Sequence, residues 1–263
     1  MKHFTVGLIL SLAVVGTASA AGTPESFRGE YRDLNSVEIN AEAMNVEIAA
    51  VAGNTVTVDV ENIPRGVSVS DRVRRGRVVI HVQGRPSWLD RDAPQARIIV
   101  GVPNGISLDI GTASGSIAVR GVQGRQTLRS ASGSITLDQL GGEITVRSAS
   151  GRVTARSLVG TISIGTASGS VNLEECRGII TVETASGSIT GEGVQLTADA
   201  TFRTASGAIR VDLDNAMDDL RYDLSTASGR IRFGDVSGGK QLKGGTGRFL
   251  IEARSASGAQ EFL

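Results

Sequence analysis

A small hydroxyl-bearing motif, Ser or Thr followed by Ala-Ser-Gly, recurs through the sequence and is the first candidate for chemistry. It occurs as Thr112-Ala113-Ser114-Gly115, then ends at Gly133, Gly151, Gly169 and Gly187, 18 residues apart each time, and again at Gly207, Gly229 and Gly258. A hydroxyl becomes a nucleophile only beside a base. Past the first residues the sole histidine is His81, with no identifiable Asp or Ser partner in sequence, so no triad can be assembled. A calcium β-roll repeats Asp at fixed turn positions to gather oxygen ligands, and here no Asp holds a fixed offset. No acidic cluster repeats, as a polysaccharide-cleaving rung would require. The expectation is a protein that is not an enzyme, with no catalytic residue, no metal and no cofactor; a polysaccharide-acting enzyme is the alternative. A further alternative is ice binding, through outward hydroxyl ladders formed by Thr112/Ser114, Ser130/Ser132, Ser148/Ser150, Thr166/Ser168 and Thr184/Ser186. In the plainer reading these hydroxyls satisfy turn amides beside Gly.

Charge supplies the other candidate. Arg72, Arg74, Arg75 and Arg77 form the one dense basic run, and Trp88 follows it. Guanidinium groups in such a run can pair with phosphates of an anionic envelope polymer. The competing reading is a solvated strand end, because Val73 and Val78 alternate with the arginines. These five residues are the candidate partner surface. Cys176 stands in a column otherwise held by Val and Leu and reads as a small buried hydrophobe.

The elements that must carry these residues follow from the glycines, which fall every nine residues from Gly115 to Gly187. Two and four positions after them stand apolar pairs: Ile117/Val119, Ile135/Leu137, Ile144/Val146, Ile162/Ile164, Val171/Leu173 and Ile180/Val182. Alternation of β-branched residues is the pattern of a half-buried strand. A helix would carry a Gly every nine residues at about 1 kcal/mol each. Seven positions after Gly the halves differ: Ala131, Ala149, Ala167 and Ala185 in one, Val122, Leu140, Leu158 and Cys176 in the other. Both columns are expected to face inward, and the glycines to supply turns with positive φ. The true period is therefore 18 residues, two unequal strand-and-turn halves.

Stacking such units gives an all-β parallel β-helix, or β-solenoid, of about 18 residues per coil. Arg120, Asp138, Arg156 and Glu174 would stack with alternating sign. Gln126 and Gly191 break the apolar columns. No aromatic residue occurs from 89 to 201, which suits a thin core, and aromatics near both ends suit caps.

Lys2 and His3 precede an apolar run from Phe4 to Val15 and then Ala18-Ser19-Ala20, the pattern of a secretory signal cleaved after Ala20. That run is shorter than the about 20 residues of a membrane span, and the mature chain shows no transmembrane segment. Residues 21–263 are expected to form a single solenoid domain. Its irregular N-terminal coils and cap occupy 21–105, regular repeats 106–191, and widened C-terminal coils and cap 192–263. Lys plus Arg equals Asp plus Glu, 27 each, which gives no global attraction to nucleic acid.

The run from Val102-Pro103-Asn104-Gly105 and Ile106-Ser107-Leu108 into repeated TASGSI and SASGSI turns resembles the "putative adhesin" family of bacterial envelope proteins, over about residues 36–258. The resemblance implies a right-handed parallel β-helix exported by a bacterium, and no catalytic residues to carry over. The resulting expectation is a non-catalytic envelope scaffold or adhesin-like interaction module, periplasmic or at the cell surface, whose partner is an envelope protein or polysaccharide and not nucleic acid.

Overall fold

Alternating β-branched residues and a turn every nine positions give strands stacked in two ladders. The computed structural model describes residues 25–84 and 96–263. One ladder holds longer strands, among them Gln123–Ser130, Gly141–Ser148, Val159–Thr166 and Arg177–Thr184. The other holds the short strands Ile117–Arg120, Ile135–Asp138, Val153–Arg156 and Val171–Glu174. Both are parallel, and each residue pairs with the one 18 positions on, as in Ile144↔Ile162 and Ile135↔Val153. The protein is all-β and solenoidal.

The apolar columns predicted from the sequence lie inside. Ile117, Ile135, Val153, Val171 and Ile189 line one wall of a continuous core, and Leu128, Val146, Ile164 and Val182 the other. Each such side chain contributes roughly 1.5–3 kcal/mol on burial. Cys176 is fully buried in the column it shares with Leu140 and Leu158. Gln126 is fully buried too; its amide nitrogen reaches the carbonyls of Val122 and Gly141 at 3.4 Å, and its Oε1 has no partner. Where Gly191 leaves a gap, Val194 and Val211 close in on its Cα, and the register of the ladder shifts there.

Coils do not stack in chain order at either end. The first coil, Ser36–Ala41 and Asn45–Ala50, lies between strands Arg77–Gln83 and Arg97–Val102 on one side and Ser107–Thr112 and Ile117–Arg120 on the other. At the far end the last coil, Phe249–Ser257 and Gln260–Phe262, is inserted between Ala200–Thr204/Ile209–Leu213 and Leu220–Ser228/Ile231–Phe233. Antiparallel strands then close all four edges: Glu25–Arg32 on Thr55–Ile63, Ser68–Arg74 on Arg77–Gln83, Val236–Gly238 on Ile231–Phe233, and Gln241–Gly244 on Leu220–Ser228. Turning the outermost strand antiparallel ends the parallel ladder, a common defence of exposed sheet edges. Aromatics fill the C-terminal end, where Tyr222 stacks on Phe233 at 4.1 Å and Phe202 meets Phe262 edge-on.

Candidate functional site

The recurring Ala-Ser-Gly corner corrects two expectations. Ala131, Ala149, Ala167 and Ala185 are exposed, and the hydroxyl residue before each of them, Ser130, Ser148, Thr166 and Thr184, is buried instead. The period of two runs unbroken through Leu128 and Ser130, which by itself puts the hydroxyl inward and the following Ala outward; the bend comes only after this hydroxyl, over residues 131–133. The buried oxygen accepts from the Gly N–H three residues on, as at Thr166/Gly169 and Thr184/Gly187, both 3.0 Å. One of the two ladders invoked for ice binding therefore faces the core, and the plainer reading of those hydroxyls holds. From Gly115 to Gly207 the Gly ending the motif does not carry a positive φ, whereas Gly229 and Gly258 in the widened coils do. A Cβ there would overlap the carbonyl oxygen of the Gly below it, Gly133 on Gly115, Gly151 on Gly133, Gly169 on Gly151. In the regular repeats positive φ belongs to the alternate column, Gly124, Gly142, Gly160 and Gly178.

The basic run is a β-hairpin at the edge of the long-strand ladder. Arg75 and Gly76 form its turn with φ of 49° and 75°. Val69, Asp71 and Val73 face the molecule, so Arg72 and Arg74 face water. Arg72, Arg74 and Arg75 enter no ion pair among the described residues, whereas Arg77 bonds Ser36 Oγ at 3.2 Å and Glu38 at 3.1 Å. Trp88 lies outside the described residues, as do residues 1–20, where a secretory signal is expected, and Pro86 and Pro94.

Elsewhere charges neutralise one another between coils. Arg120 pairs with Asp138 and Arg156 with Glu174, as the alternating column predicted. A shallow groove of about 980 Å³ also runs along the corner, with exposed alanines on one side and Arg147, Glu183, Arg203 and Arg254 on the other. Arg203 is held by Glu183 and Glu252, and Arg254 by Glu252, leaving Arg147 as the one cation of the three with no ion pair among the described residues. Sequence reasoning passed over this column. Writing the repeats in register brings Arg147 and Glu183 together, but Arg254 joins only through the inserted last coil.

No group of three His, Cys, Asp or Glu placed to hold a metal occurs among the described residues. No helix there is long and apolar enough to cross a membrane. Burial pushes the Cys176 thiol up, the direction opposite to that of a reactive cysteine.

Two parallel ladders around a thin core, capped at both ends and bearing exposed corner motifs, define a β-solenoid of repeated coils. The family model of Toastrack DUF4097 matches residues 34–258, and the chain belongs to that family. Solved structures share the fold. One from Parabacteroides distasonis ATCC 8503, described as a putative lipid binding protein, is 14% identical with a TM-score of 0.53, covering 91% of this chain and 97% of that one. Two described as putative adhesins come from Bacteroides fragilis NCTC 9343 (10% identical, TM-score 0.51, 91% and 97% covered) and P. distasonis ATCC 8503 (13%, 0.51, 91% and 98%). No curated protein matches the chain.

Proposed function

We propose that this chain is an exported, non-catalytic β-solenoid serving the cell envelope as a scaffold or adhesin-like interaction module, with an envelope protein or polysaccharide as its partner. The observation that carries this reading is the arginine hairpin. Arg72, Arg74 and Arg75 project from an edge strand without an internal partner, so their donors are left for an outside group. Guanidinium forks match phosphate and carboxylate geometry, which suits an anionic envelope polymer. Arg77 and, from the sequence, Trp88 complete the proposed partner surface. Membership of the family and structural neighbours described as putative adhesins support the interaction role.

The same reading places a signal peptide at 1–20, cleaved after Ala20, and one solenoid domain over 21–263, with a regular middle at 106–191 between the irregular coils of 21–105 and the widened coils of 192–263. It takes the coil as right-handed and about 18 residues long, a length supported by the 18-residue pairing register. The destination is the periplasm or the cell surface. Cell fractionation with protease shaving of intact cells tests it. Cleavage on intact cells supports the adhesin role, and protection in an envelope fraction supports the scaffold. An uncleaved chain in the cytoplasm overturns both.

A further inference from the structure

A second cavity forms where the repeat loses its regular spacing. After Gly187 the corner motif recurs at 20 residues instead of 18, and strand Ile189–Leu196 crosses over to pair Gln195 and Leu196 with Arg177 and Gly178 of the long-strand ladder. The connection from Leu213 to Leu220 folds over this widened corner and is pinned there. Asn215 Oδ1 accepts from Leu196 N–H at 2.7 Å, and its Nδ2 donates to Leu196 O at 3.0 Å. The inserted last coil supplies the remaining wall, with the Arg248 guanidinium 4.3 Å from the Phe249 ring centroid. The cavity is open to solvent and measures about 350 Å³, and its lining includes Gln195 and the exposed Arg177, Asp214, Asp219 and Arg248.

Its charges set it apart. Many arginines of the stacked coils find carboxylates in a neighbouring coil, as at Arg156–Glu174, Arg203–Glu183 and Arg210–Glu261. In this cavity two arginines and two aspartates line one space, and none of the four forms an ion pair among the described residues. The arginines project from the stacked coils. The aspartates sit on the connection that the Asn215 clamp holds in place, so charges of both signs line one opening without pairing.

We propose that this cavity binds a small zwitterion of the amino-acid or short-peptide type. Its carboxylate would pair with Arg177 and Arg248, and its ammonium with Asp214 and Asp219. A single anion or cation would satisfy one pair and leave two charges of its own sign in the same opening; a molecule carrying both groups satisfies both pairs, through charge-assisted hydrogen bonds. The volume lies at the lower end of the range for small-molecule pockets, which fits a ligand of this size. The site is separate from the arginine hairpin and does not depend on the envelope role.

Isothermal titration of the mature chain with alanine, lysine and the dipeptide Ala-Ala tests this, with N-acetyl-Ala-Ala and Ala-Ala-amide as singly charged controls. At least one zwitterion should bind saturably, more weakly as salt is raised, and blocking either end of the dipeptide should cost roughly tenfold or more, equivalent to about 1.4 kcal/mol. Arg177→Gln and Asp214→Asn should each weaken binding by a similar factor, while Arg147→Gln in the other groove should leave it unchanged. Thermal melts establish that each variant is folded, and Asp219→Asn replaces Asp214→Asn if that variant is not. Absence of saturable binding by every zwitterion up to about 10 mM overturns the proposal. So does equal binding of the blocked dipeptides, or binding indifferent to the cavity variants.

Discussion

Tyr31 donates its hydroxyl to Asp71 Oδ2 at 2.9 Å, joining the outermost strand of one ladder to the outermost strand of the other, 40 residues apart in sequence. Burial, and then the bond to Asp71, push the Tyr31 hydroxyl well above its ordinary range. The two residues close the N-terminal end of the solenoid. Tyr31→Phe should cost about 1–2 kcal/mol, lowering the melting temperature by roughly 2–4 °C per kcal/mol. The sign of the pH dependence follows from the raised value. The unfolded chain releases the phenolic proton first, so this contribution is complete below about pH 10 and is lost as pH rises beyond it. Melts at pH 8 and pH 11 should show an alkaline loss in the parent that is smaller in Tyr31→Phe.

The glycines of the corner column differ sharply from a glycine one strand away. Gly151→Ala drives a Cβ into the carbonyl of Gly133, and neither backbone can yield without disturbing the ladder. A Cβ on Gly165 meets only the flexible end of Arg147, at 3.5 Å. We expect Gly151→Ala to cost about 3 kcal/mol or more, at or above the usual range for overpacking, and Gly165→Ala to be close to neutral. Chemical denaturation of the two variants side by side checks the contrast.

Thr166 and Ala167 are neighbours with opposite roles. Thr166→Val removes the acceptor of the Gly169 N–H and should cost about 1–2 kcal/mol. Ala167→Lys places its side chain in water and should change stability by no more than about 0.5 kcal/mol. A large loss in Ala167→Lys would show that the alanines face inward after all.

Reversing Arg72, Arg74 and Arg75 together to Glu removes the unpaired cations while leaving the inward face of the hairpin untouched. Stability should shift by about 0.5 kcal/mol or less per site. Retention on anionic envelope fractions in a co-sedimentation assay should be abolished, and retention of the parent should weaken with salt. Unchanged retention would remove the hairpin as the partner surface.

Cys176 offers a probe of opening. Its thiol is buried and its pKa raised by that burial, so little thiolate is presented to a reagent in the fold. Iodoacetamide should label it negligibly under native conditions and fully in denaturant, followed by mass spectrometry.

The sequence by itself determined the period, the two unequal halves of each repeat, the inward columns along the strands, and the ion pairs between coils such as Arg120–Asp138. All of these follow from strand alternation and a fixed 18-residue register, both of which are properties of a one-dimensional pattern. Continued strictly, the same alternation puts Ser148 inward and Ala149 outward; only the tertiary structure decided that a bend resets it in the short half of the repeat, where Leu137 and Leu140, three positions apart, both meet the core. It also decided the order of the end coils. The apolar columns of the coil at 249–262 could stack on either neighbour, and nothing local marks that it slips between two earlier coils. That insertion brings Arg254 beside Arg203, and Arg248 and Phe249 to the cavity at Arg177 and Asp214. Those groupings exist only once the chain has doubled back on itself.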